Sequence, residues 1–250
     1  MILRSVMKHV RDQNWFAVGI DFFIVIVGVF IGIQVANWNE ARQHDKLGEV
    51  YLVRLGEDLS AMDTYLVGMI AETEKRSALT LNLLSAAASD IDFDSAAAED
   101  ALIEATHAFF TEGWRTPRFT VVRAVFDDLQ STGNLSLINS ELRKRITSYY
   151  AGIDVRLESF DINRDWSLRN DSRMVAGHDI YRWDRTFEKI VGALDADKTR
   201  DTILAARDDL ARLATMFHYI ETASLDHYQA ALNETRELTS ALMGTLGAGE

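Results

Sequence analysis

The chain has no cysteine and a single proline in 250 residues. The absence of cysteine excludes a disulfide framework, a thiolate zinc site and a cysteine nucleophile. One proline and 14 glycines leave few of the turn signals that an all-β fold needs. Basic charge is also scarce: 26 Lys and Arg face 38 Asp and Glu, for a formal charge of −12. Only Arg4, Lys8 and Arg11, against Asp12 and Asp21, precede residue 38, so the remainder carries −13. Such a body repels phosphate backbones and is not expected to bind nucleic acid, which is held by Lys and Arg.

What fills the chain instead is Ala, Leu, Arg, Glu and Asp, residues that favour helix. Hydrophobic residues make up 48% and charged residues 26%, the usage of a folded body rather than of a disordered chain or a multi-span transporter. The length suits one anchor plus one domain large enough for a sizeable core.

Phe22 to Ile33 is an unbroken apolar run, and apolar character extends from Trp15 to Trp38. Those residues form about 36 Å of helix, enough to cross a hydrocarbon core of about 30 Å. Trp15 and Trp38 are placed as interfacial anchors at its two ends. A cleaved signal peptide is the rival reading, but no small-x-small site follows the run. The expected organisation is a cytoplasmic segment 1–14, a transmembrane anchor 15–38 and an acidic helical domain 39–250 that includes a stalk. Arg4, Lys8 and Arg11 are nearly matched by Arg42, Lys46 and Arg54. The amino terminus and the acids Glu40, Asp45 and Glu49 tilt the balance toward a cytoplasmic N-terminus in a bacterial inner membrane, with the domain in the periplasm.

Within the span, Asp21, Val25, Gly28 and Gly32 step by four, three and four and so share one helix face. Gly28 to Gly32 is a GxxxG pattern, through which two membrane helices approach closely. A homo-oligomer or a larger membrane complex is the expected partner state. Asp21 is a costly carboxylate there unless it reaches headgroups or a partner.

The stretch from Trp15 to Asp21, the run to Gln34 and then Val35-Ala-Asn-Trp-Asn-Glu40 resemble a widespread bacterial family of uncharacterised single-span proteins. In that family the anchor ends in Asn-Trp-Asn-Glu. Phe126-Asp-Asp-Leu-Gln-Ser-Thr-Gly-Asn-Leu135, with Leu142-Arg143 and Tyr149-Tyr150, is similar to its second recurrent segment. The resemblance implies a topology and no chemistry.

Beyond the span the helix is expected to continue, since Leu47, Tyr51, Leu55, Leu59, Met62, Leu66 and Ile70 step by three or four. Ser89 to Ser95 is the first break, leading into a helix over 96–112, and Gly113 to Pro117 is the second. A helix over 120–131 should stop at Gly133, a left-handed C′ position. Asn139 or Ser140 caps the next helix, with Glu141 in its first turn and an end near Val175 before Gly177-His178-Asp179. A shorter helix over 180–194 and a long one from Asp197 to Met243 complete the chain. The final stripe runs through Ile203, Leu204, Leu210, Leu213, Phe217, Ile220, Leu225, Tyr228 and Leu232. The fold class is all-α: a transmembrane helix continuing into a long-helix antiparallel bundle.

Asp90, Asp92 and Asp94 open like a calcium loop, but Ser95 stands where glycine is needed and Ala101 where the bidentate Glu belongs. Glu104-x-x-His107 is one half of a di-metal motif, with His218-x-x-Glu221 as a reversed neighbour, and the second forward unit is missing. No metal or cofactor is implied. Arg143, Arg156, Arg164, Arg169 and Arg173 interleave with Tyr149, Tyr150, Phe160, Trp166 and Trp183, a composition able to hold a small anion or a partner surface. No nucleophile triad, phosphate loop or metalloprotease motif occurs, so enzyme activity is not expected. The leading reading is a membrane-anchored scaffold or accessory subunit of an inner-membrane assembly. The alternative is an extracytoplasmic ligand-sensing bundle that signals through a partner.

Overall fold

The computed structural model describes residues 15–88, 95–113, 118–171, 181–183, 190–193 and 196–247. Six α-helices occur among them: α1 (Trp15–Ala86), α2 (Ala96–Ala108), α3 (Ala124–Thr132), α4 (Ser140–Asp171), α5 (Ala196–Ala205) and α6 (Arg207–Gly247). The fold is all-α, as composition dictated. The chain divides into two compact units, Met1–Tyr51 and Leu52–Glu250, and α1 contributes to both.

In the first unit α1 is long and apolar enough to cross a membrane, and its most apolar window has no buried residue. In the second unit α1, α4 and α6 provide the long members. Asp63 on α1 pairs with Arg236 on α6, while Ala87 and Ala88 just past the end of α1 meet Arg207 at the start of α6, so these helices run antiparallel. Arg207 thereby supplies donors to carbonyls at the C-terminal end of α1, which the helix itself leaves unpaired. Tyr149 with Thr235 and Ser159 with His227 set α4 antiparallel to α6.

The core follows from the helical periods. Leu55, Leu59, Met62, Leu66 and Met69 of α1 are buried, with Leu142, Ile146, Tyr150 and Ile153 of α4 and Leu213, Phe217, Ile220, Tyr228 and Leu238 of α6. Met69, and not Ile70, continues the α1 stripe, and Leu47 is 41% exposed. Phe119, Phe160 and Tyr228 form an aromatic cluster, with ring centroids 4.7 Å apart for Phe119–Phe160 and for Phe160–Tyr228.

Local signals mostly act as expected. Ser95 caps α2 by accepting from the Ala98 N–H. Asn139 Oδ1 accepts from the Leu142 N–H at 2.9 Å and caps α4. Gly133 closes α3 with φ +75°, the left-handed region that glycine enters without a Cβ clash.

Four expectations need correction. Helix α2 ends at Ala108 and passes into a π-helical turn over Phe109–Gly113, which lets the adjacent Phe109 and Phe110 both face the core. Helix α3 starts at Ala124 rather than 120, because Tyr65 ties the preceding segment to α1: its hydroxyl donates to the Arg118 carbonyl and accepts from the Thr120 N–H. Residues 181–183 and 190–193 are an antiparallel strand pair, β1 and β2, where a helix was expected. Tyr-Arg-Trp and Ile-Val-Gly-Ala carry aromatic and β-branched residues that suit extended backbone. The final helix is interrupted at Ala206, whose N–H is shared between the Thr202 and Ile203 carbonyls. The expected α4 end at Val175, the Gly177-His178-Asp179 break, the Asp90-Asp92-Asp94 turn and segment 1–14 lie outside the described residues.

Candidate functional site

The face Asp21, Val25, Gly28, Gly32 is exposed on α1. A Cβ built on Gly28 or Gly32 meets nothing within 4 Å, so this face has room for a second helix backbone. Trp38 is 64% exposed, and the Arg42 guanidinium lies 5.7 Å from its ring centroid, one helical turn on. Trp15 begins α1, and its side chain lies outside the described residues.

The Arg and aromatic stretch divides into core and surface. Tyr149, Tyr150 and Phe160 are buried and build the bundle. Arg156 reaches across to α6 and grips Glu234. Arg143 is half-buried and Arg164 is engaged in an interaction of its own. The side chains of Trp166, Arg169 and Trp183, and all of Arg173, lie outside the described residues.

Beside the Arg156–Glu234 pair runs an open groove of about 540 Å³ between α4 and α6, lined by Arg145, Ser148, Tyr149, Gly152, Glu237 and Leu238. Gly152 keeps it open: an added Cβ would stand 3.3 Å from Arg156 Nη1. A second groove, about 370 Å³ and almost wholly apolar, lies between α1 and α6 and is lined by Leu52, Val53, Gly56, Leu242, Met243 and Leu246.

Sequence reasoning missed a buried polar layer. Past Met69 the inward stripe of α1 turns polar at Thr73, Arg76, Ser77 and Thr80, and returns to Leu83. Opposite it, α6 buries Glu221 and Ser224. Arg76 Nη2 donates to Thr73 Oγ1 at 2.7 Å, and Thr73 donates to the Met69 carbonyl at 2.7 Å. Glu221 is 5% exposed, yet neither carboxylate oxygen has a hydrogen-bond partner. Burial pushes its carboxyl up to about 7, while the nearby Thr80 hydroxyl and the Arg76 guanidinium act in the opposite direction. Thr80 Oγ1 nevertheless completes no hydrogen bond. Burial likewise lowers Arg76, opposed by Glu221, Tyr228 and Glu72. The signal was present: continuing the three-and-four spacing past Met69 lands on Thr73, Arg76 and Thr80.

Glu104 and His107 are exposed on α2. Among the described residues no three His, Asp or Glu side chains converge in a way that could hold a metal. Comparison of the chain with protein-family models, curated proteins and solved structures gives no match.

Proposed function

We propose that this protein is a membrane-anchored helical scaffold, or an accessory subunit of a larger inner-membrane assembly, with no catalytic activity of its own. The observation that carries the reading is the open face of α1, where Val25, Gly28 and Gly32 are exposed and a Cβ added at either glycine would meet no other part of the protein within 4 Å. In lipid, small residues on one face let helices pack closely enough for dispersion and Cα–H contacts to hold them. The resemblance around Asn37-Trp38-Asn39-Glu40 supports the anchor. The cytoplasmic N-terminus and periplasmic domain rest on the charge balance about the span.

Gentle-detergent purification of the tagged full-length chain from its own membranes, with mass determination of the intact complex, tests the reading. A homo-oligomer or a stoichiometric membrane partner that Gly28→Leu/Gly32→Leu disrupts is expected. Identical monomeric masses for both proteins, with no partner on either, remove it.

A second reading has one observation in its favour. The α4–α6 groove joins Arg145, Ser148 and Glu237 on a rim that Gly152 keeps open, a shape suited to a small polar ligand sensed outside the cytoplasm. A thermal-shift screen of carboxylates and phosphates that yields no stabiliser would count against it.

A further inference from the structure

We propose that the Thr73–Arg76–Thr80 face of α1 and the Glu221 face of α6 form a proton-responsive latch, which holds the two helices together when Glu221 is protonated and loosens them when it is ionised. The geometry leaves the ionised form poorly served. Neither buried carboxylate oxygen completes a hydrogen bond, and a buried charge without hydrogen bonds is costly. The cation that acts on it, Arg76, is itself buried and committed to Thr73. No ion-pair contact closes between Arg76 and Glu221, so the attraction reaches the carboxylate without a hydrogen bond.

Protonation changes the balance. The nearby Thr80 hydroxyl, which also lacks a partner, can accept from the O–H of a neutral Glu221 or donate to the ionised form. Thr80 can therefore partner either form, and what sets the two apart is that protonation removes a charge buried at 5% exposure with no ion pair closed on it. The other groups in reach are few. Tyr228 and Glu72 act on Arg76, not directly on Glu221. His218, one turn earlier on α6, buries an Nδ1 that also has no partner. From the segment 96–113, Phe109 packs against Phe217 with centroids 5.3 Å apart, while Glu112 is drawn to the surface by Lys75. The raised carboxyl of Glu221 places the transition near neutral pH.

Thermal unfolding of the full-length chain in detergent between pH 5 and 8 tests the latch, with Glu221→Gln as the comparison. The wild-type midpoint should fall by about 5 °C as pH rises, and the variant should lose most of that slope. Equal slopes, or a flat wild type, overturn the proposal. Should the variant not fold, carboxyl-labelled glutamate NMR of the wild type decides: one Glu titrating near neutrality is expected, and none doing so overturns it. Amide exchange over residues 217–228, corrected for its intrinsic pH dependence, should be slower at pH 6 than at pH 8. Unchanged protection would sink the loosening step.

Discussion

Arg156 on α4 grips Glu234 on α6 with two parallel hydrogen bonds, Nη1 to Oε2 at 2.9 Å and Nη2 to Oε1 at 2.6 Å. The Arg156 side chain is only 14% exposed, so the pair is less screened than an ordinary surface bridge. Arg156→Ala should cost about 1–2 kcal/mol in denaturant unfolding, because it leaves Glu234 facing a vacated site. In a double-mutant cycle with Glu234→Gln the two losses should add to more than the double variant shows. Strict additivity would mean that the pair contributes nothing as a pair.

Asp58 on α1 caps a helix to which it does not belong. Its Oδ2 accepts from the Val125 N–H at 3.0 Å, and Arg123, at the N-cap of α3, makes no capping bond through its side chain. Asp58→Ala should therefore destabilise the bundle by about 1 kcal/mol, as loss of a local cap does, while Asp58→Asn keeps the acceptor and most of the stability. Equilibrium unfolding of the two variants separates a capping role from a purely electrostatic one.

Gly133 holds φ +75° with open space around it, so strain and not collision decides the outcome of substitution. Gly133→Ala should lose about 1 kcal/mol, and Gly133→Asn less, since Asn tolerates the left-handed region better. Equal losses would show that the turn relaxes to another conformation.

The pH dependence has a defined sign. Glu221 is raised from its ordinary value of 4.5 to about 7. Its contribution to stability is therefore fully present below 4.5 and is lost as pH rises through the folded value. The span of that shift corresponds to on the order of 3 kcal/mol. Arg76 is the cation that lowers this carboxyl. Arg76→Met should therefore move the midpoint of the loss to higher pH in thermal unfolding measured against pH. A midpoint that stays in place, or falls, would show that Arg76 does not act on Glu221.

Helix periodicity and composition determined the class, the apolar N-terminal helix and the boundaries at Gly133 and Asn139, because each of these is written in local spacing: Phe22 to Ile33 by its length, Gly133 by its missing Cβ, Asn139 by a side chain that reaches its own backbone. Tertiary structure alone decided the rest. Tyr65, 55 positions away from Thr120, delays the start of α3. Tyr149, Tyr150 and Phe160 became core because α6 packs against α4, which no count of nearby arginines could reveal. Glu221 looked like half of a metal motif in the sequence and is a buried carboxyl facing Arg76, about 145 positions away. Burial of a polar group depends on which face of a distant helix comes to cover it, and local spacing carries no record of that choice.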